Sequence, residues 1–357
     1  MVSEVLKYQS GFVITLLGAH HVVRSNMYTD EDLERAVDKG IFTATSVETF
    51  RTYILNRNNT HVADEENFRL IASFNDIFVV IACALLLLSS GWVTHNFHPA
   101  LATIVVSILA WGLAEFFVLK RKMALPAIAL LIAFVGGVYA SVVLMFEAPS
   151  ENSLMLAALV ASTGAWFHWK RFKVPITVAA GAVTVVVFFV SLLLSVSPVF
   201  KDYLMYLMFL GGVAIFFIAM RWDAADLKRV TGKSDVAFWL HLTSAPLIVH
   251  PIFSNLGVLE GNESLASLAA IIVLYILLTF TSVVIDRRAF MVSSLVYVLV
   301  ALTKLLNTYG LAGDSFAYVG VFIGFSLLLL SGFWHKARRQ LVAYLPQPVK
   351  ERVPIVV

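Results

Sequence analysis

Charge is what this chain has least of. Asp, Glu, Lys and Arg make up 14% of its 357 residues, where a soluble domain carries about 25%, and hydrophobic residues make up 59%. Cys83 is the single cysteine, so no intramolecular disulfide can form and no cysteine-based metal site is available. There is no Walker A loop, no HExxH or GxSxG motif, no carboxylate pair inside an apolar run and no arginine-rich helix. These absences argue against an ATP-hydrolysing subunit, a zinc protease, a serine hydrolase and a voltage sensor. An enzyme is therefore the weakest class, with an intramembrane transferase using loop residues the form it would take; no cofactor or bound metal is expected. The net charge of +3 is no nucleic-acid signature, because the positive residues sit in clusters between apolar runs.

What the chain does have is long apolar runs, each sufficient to cross about 30 Å of hydrocarbon as a helix. The fold class is therefore all-α, a polytopic helical membrane protein. Ten spans are predicted, at 77–94, 99–119, 124–146, 153–169, 175–196, 203–220, 236–257, 265–285, 289–309 and 315–334. Short loops between them make consecutive helices antiparallel neighbours. Basic residues confirm the alternation: Lys120, Arg121 and Lys122 follow span two, Lys170, Arg171 and Lys173 span four, Arg221, Lys228, Arg229 and Lys233 span six, and Arg287 and Arg288 span eight. The other loops hold Lys201 alone, beside Glu147, Glu151, Asp202, Glu260, Glu263 and Asp314. Positive loops stay inside, so both termini are expected in the cytoplasm. Asp286, Arg287 and Arg288, at a helix start, read as a dipole and topology device.

The organisation predicted from this is a poorly ordered extension over 1–26, with translation beginning at Met27, and a cytoplasmic helical domain over 27–74. A first membrane half spans 75–220, a loop 221–235, a second half 236–335 and a tail 336–357 that turns Pro-rich and loses structure after Pro346. Thr29 and Asp32 suit a capping box for a helix that stops at Gly40; Thr45 and Glu48 suit one for a second helix over 46–56. Residues 64–74 read as a third, amphipathic helix. The first helix is acidic and no basic recognition helix follows, which excludes DNA binding.

The seventh span is the most polar. It contains His241, Thr243, Ser244, Pro246, His250 and Pro251. Pro246 frees the carbonyl of Leu242, which Thr243, Ser244 or water could satisfy, so this helix should be kinked and face other helices. His241 and His250 are nine residues apart, roughly 13 Å of rise and half a turn out of phase, so they share no metal on a straight helix. Intramembrane ionisable groups mark functional sites by default. The candidates for a ligand or proton pathway are accordingly His241, Thr243, Ser244 and His250, with Lys304 and Asn307 of span nine and Glu115 of span two. Glu115 lies near the cytoplasmic end and Lys304 near the outer end, too far apart to pair. Lys304, Asn307 and His250 would form an outer vestibule.

Two further patterns are present. LKRKMALPAIALLI after span two parallels IDRRAFMVSSLVYV after span eight, and Trp166–Arg171 (WFHWKR) parallels Phe333–Arg338 (FWHKAR), both about 166 residues apart. Spans one to four and seven to ten therefore read as parallel repeats, an arrangement found in transporters. Gly136–Gly137, Gly211–Gly212 and the Gly320–Gly324 pair suit close helix packing.

The segments LERAVDKGIFTATSVETFRTYI and FRLIASFNDIFVVIACALLLLSSGW, within residues 30–92, resemble uncharacterised bacterial polytopic membrane proteins with a small N-terminal cytoplasmic helical domain. The resemblance implies a bacterial inner membrane and supplies no active residues. The function expected is transport or binding of a small solute or lipid within the bundle. The alternative is a non-transporting sensor or scaffold that docks a cytoplasmic protein partner through the N-terminal hairpin. A continuous polar cavity reaching spans seven and nine separates the two.

Overall fold

The computed structural model describes residues 30–50, 74–227, 229, 231–257, 265–308 and 315–355. The expectations for residues 1–29, for the helix beyond residue 50 and for the amphipathic segment 64–74 up to residue 73 lie outside these. The chain divides into two compact units, Met1–Asp64 and Glu65–Val357.

In the first unit α1 (Asp30–Asp38) ends as its glycine predicts. Gly40 takes φ +69°, its N–H donates to Val37 at 2.9 Å and that of Ile41 to Ala36 at 2.9 Å, the two bonds of a Schellman cap. The second helix, α2 (44–50), starts two residues earlier than expected. Thr43 rather than Thr45 caps it: Ser46 N–H donates to Thr43 Oγ1 at 3.2 Å and Thr43 N–H to Ser46 Oγ at 3.0 Å. A hydroxyl at the third helical position completes the box as well as the predicted carboxylate would.

The second unit carries α3 (Phe74–His95), α4 (Pro99–Ala114, prolonged by a π turn Glu115–Lys120), α5 (Ala124–Val143), α6 (Glu151–Phe172), α7 (Ile176–Val196) and α8 (Leu204–Ala224). Then follow α9 (Gly232–Asn255), α10 (Leu265–Ile285), α11 (Ala289–Thr308), α12 (Ser315–Ala343) and the short α13 (Gln347–Lys350). These helices stand at the ten predicted places. Among the described residues, nine are long and apolar enough to cross a membrane. The remaining one, α6, has 22 residues but carries Glu151, His168, Lys170 and Arg171 towards its ends, so its composition falls short while its length does not. The protein is an all-α, multi-pass integral membrane protein.

Between helices in a bilayer, close backbone approach replaces the hydrophobic effect as the packing force. Ala157, Ala161 and Ala165 recur every fourth residue on the buried side of α6, and a Cβ on Gly181 of α7 would sit 3.5 Å from Ala165. A Cβ on Gly212 of α8 would lie 2.8 Å from the Leu247 side chain and 3.0 Å from its backbone carbon in α9. Gly137 likewise admits Ser107 of α4. Gly320 and Gly324 differ: nothing lies within 4 Å of either added Cβ, so this pair packs against no helix among the described residues.

One apolar core joins α3 to α7 around Leu130, Leu131 and Ala165. Another joins α8 to α12 around Val249, Phe253 and Ile271. Ala179, Ile215, Ala219, Val236 and Leu240 link them across α7, α8 and α9. The predicted polar helix, α9, therefore lies at the centre and packs on α7, α8 and α11. Half of its apolar window is buried, the largest share of any candidate span.

The tail departs from expectation. Instead of losing structure after Pro346, the chain forms α13 and then folds back, with Val353 only 3% exposed. The N–H of Ile355 donates to the carbonyl of Leu227 at 3.2 Å, and Arg338 Nη2 donates to the carbonyl of Pro354 at 2.6 Å. A proline-rich composition thus marks extended backbone whose carbonyls are free to accept side-chain donors.

Candidate functional site: a buried ionic cluster and an apolar groove

Asp223, near the C-terminal end of α8, is fully buried. Its Oδ1 accepts from Arg287 Nη2 at 2.6 Å, and its Oδ2 lies 2.9 Å from His241 Nε2. Arg287 Nη2 also donates to the carbonyl of Ser234 at 3.0 Å. A carboxylate held by a guanidinium is ionised, so His241 carries its proton on Nε2 and donates it. The other ring nitrogen, Nδ1, has no hydrogen-bond partner. The rings of Phe216 and Phe290 stand 5.5 and 6.5 Å from the imidazole.

Beside this triad lies a second cluster. Asp286, in the turn between α10 and α11, is 4% exposed and takes a left-handed φ of +61°. Its Oδ2 accepts from Arg229 Nη1 at 2.9 Å, and its Oδ1 accepts from Trp334 Nε1 at 2.9 Å and pairs with Arg338 Nε at 3.4 Å. Its carbonyl takes Arg229 Nη2 at 3.0 Å. Arg229 is itself left-handed, φ +53°. Two side-chain residues in this region are strained, and the converging donors hold them there. Burial pushes the Arg229 guanidinium down from its ordinary range. The loop between α8 and α9 is closed by Thr231, whose N–H and hydroxyl donate to Asp226 Oδ2 at 2.8 and 2.6 Å.

These residues come from α8, the loop after it, α9, the α10–α11 turn, α12 and the tail. Sequence reasoning singled out only His241 among them as a candidate site residue. The Asp286–Arg287–Arg288 run, read as a topology device, has Asp286 and Arg287 buried in ion pairs, while Arg288 stacks 5.0 Å from the Trp334 ring. The signal was in the sequence as acids beside helix ends, but the positive-inside pattern already explained every basic residue.

The other predicted residues are dispersed. Thr243 Oγ1 donates to the carbonyls of Trp239 and Leu240, both at 3.0 Å, and Ser244 Oγ to that of His241 at 3.1 Å. Of the partners expected for the Leu242 carbonyl that Pro246 frees, Thr243 and Ser244 thus bond elsewhere, and α9 continues through both prolines. His250 Nδ1 is hydrogen-bonded to the Tyr297 hydroxyl at 2.6 Å, with Ser254 Oγ at 3.5 Å. Lys304 is half-buried and Asn307 exposed on α11. Glu115 receives a two-pronged bond from Arg171, Nε to Oε1 at 2.8 Å and Nη2 to Oε2 at 2.7 Å, outside the bundle core.

Cavities of note lie elsewhere. A groove of about 580 Å³ runs between α3, α4 and α5, lined by Cys83, Leu87, Gly91, Thr103, Val106 and Leu130 among others. At its rim Leu88 is 73% and Trp92 80% exposed, so it opens sideways. A smaller one of about 360 Å³ lies between α4 and α5 beside Trp111 and Phe134. Among the described residues no group of three His, Cys, Asp or Glu side chains could hold a metal. Set against known proteins, the chain matches no family model, no curated sequence and no solved structure.

Proposed function

We propose that this membrane protein binds a lipid within its bundle, seating one acyl chain in the groove between α3, α4 and α5. The groove carries the reading. Its lining is almost wholly apolar, and its rim faces the hydrocarbon that surrounds α3. From Cys83 to His95, α3 rises roughly 18 Å, about the depth of one leaflet. A polar solute would find few partners there. The polar residues of α9 favour the same side: His241, Ser244 and His250 are engaged in internal hydrogen bonds.

The test is fluorescence quenching of the full-length protein in nanodiscs containing lipids brominated along one acyl chain. Trp92 lines the groove, so its emission, taken as the difference between wild type and Trp92→Phe, should be quenched more strongly than that of Trp166 on the bundle surface. Ala129→Phe, which fills the groove, should remove the excess. Equal quenching at both tryptophans in wild type would mean ordinary contact with the bilayer and would sink the reading.

A second reading, docking of a protein partner through the N-terminal unit, has one observation in its favour. Ile41 and Phe42 stand 65% and 49% exposed in the turn between α1 and α2, an apolar pair at the tip of a hairpin.

A further inference from the structure

We propose that the basic end of α4 and α6 is a binding site for the headgroup of an anionic phospholipid. The inference is independent of the acyl-chain groove, which lies between other helix faces.

The positive-inside rule accounts for the sign of the loop charges but not for their accessibility. In the second half of the bundle, Arg287 and Arg338 turn inward and are 2% and 3% exposed, on Asp223 and Asp286. In the first half the corresponding residues stay outside. Lys120, Arg121, Lys122, Lys170, Arg171 and Lys173 are all exposed. The Glu115–Arg171 ion pair at 2.7 Å ties the end of α4 to the end of α6 and so sets the two basic triplets side by side. Asp76, which opens α3, is 3% exposed and offers the surface no charge.

Beneath the cations lies an exposed aromatic collar: Trp166 at 50%, Phe167 at 54% and Phe116 at 44%. Lys170 Nζ stands 3.8 Å from the Trp166 ring, and Arg121 lies 5.7 Å from that of Phe116. Lys122 and Lys173 occupy the left-handed turn positions, φ +53° and +55°, that end the two helices. Cations above, exposed rings below and hydrocarbon alongside are the complement of one molecule type: a phosphodiester with acyl chains. The phosphate oxygens accept charge-assisted bonds from the Lys and Arg heads, and the rings sit where headgroup meets chain. A nucleic acid or a soluble acidic protein would leave the collar without a counterpart.

Each cation near an anionic bilayer strengthens attraction by roughly fivefold, so neutralising four should weaken binding by roughly 600-fold. The experiment is native mass spectrometry of the detergent-solubilised full-length chain titrated with phosphatidylglycerol, phosphatidylcholine or inorganic phosphate. It compares wild type, the site variant Lys120→Gln/Lys122→Gln/Lys170→Gln/Lys173→Gln, and a control variant Lys201→Gln/Lys233→Gln/Lys336→Gln/Arg352→Gln. Wild type and control should retain phosphatidylglycerol while the site variant loses it, with no adduct from the other two ligands. Equal loss in both variants would reduce the effect to net charge and overturn the proposal. So would unchanged binding in the site variant, or an adduct with phosphate alone. Should the fourfold variant aggregate, Lys120→Gln/Lys122→Gln gives the same comparison with a smaller expected loss, on the order of 10-fold.

Discussion

Arg287 places Nη2 2.6 Å from Oδ1 of Asp223, across 64 positions of sequence and with both side chains out of contact with solvent. Breaking a buried pair strands the remaining charge, at about 3–5 kcal/mol, whereas replacing both charges by apolar groups of similar volume is often neutral. Asp223→Ala should therefore destabilise the protein by that amount in reversible unfolding from mixed micelles, followed by circular dichroism. Asp223→Leu/Arg287→Met should recover most of the loss. A double variant as unstable as the single one would show that the pair is required for more than mutual neutralisation.

The Glu115–Arg171 pair has the better geometry, two short parallel bonds, but stands largely in solvent. Exposed pairs contribute little to stability. Glu115→Gln should leave the unfolding midpoint close to that of wild type, measured in the same micelles. A loss comparable to that of Asp223→Ala would mean that Glu115 is shielded in the membrane in a way its exposure does not reflect.

Arg338 spends donors on the tail, Nη2 to the carbonyl of Pro354 and Nη1 to that of Ile355 at 3.3 Å. Removing residues 354–357 leaves these buried donors unsatisfied, which costs about 1–3 kcal/mol. The truncated chain should melt lower than wild type in a thermal-shift assay, and Arg338→Met in the truncated chain should restore part of the difference. No change on truncation would count against the folded-back tail.

Two glycines make a matched test of helix packing. Gly212→Leu should destabilise by about 1–3 kcal/mol, because its side chain must displace Leu247 and Ile248 of α9. Gly136→Ala, with open space around the added Cβ, should be neutral or gain up to about 1 kcal/mol from helix propensity. Proteolytic half-lives of the two variants in detergent would rank them.

How much of this was legible beforehand depends on the range of the interaction. Helix positions were readable because apolar length against bilayer thickness is a local property, and so was the packing role of Gly137 and Gly212. The central placement of α9 followed from its polarity. The ionic cluster was not readable. Asp223, Asp286, Arg287 and Arg338 each obey a local rule for helix ends, and nothing local says which of many loop arginines turns inward. Arg287 stands 64 positions from Asp223, and Trp334 stands 48 positions from Asp286. The tail was misjudged for a related reason: its proline content predicts the absence of a helix, but whether the extended chain finds donors depends on Arg338 and the loop at Leu227.

The engagement of Ile355 with Leu227 and Arg338 has a consequence for biosynthesis. Asp223 enters the membrane region well over a hundred residues before the last partners of the cluster are made, and at roughly 5–20 residues per second that interval is on the order of ten seconds. Throughout it, acidic and basic groups destined for a dry interior must wait in the translocon or at the membrane surface. A nascent chain interrupted before Ile355 would present the quality-control machinery with an unfinished charge cluster, its fault showing far along the chain from where it arose.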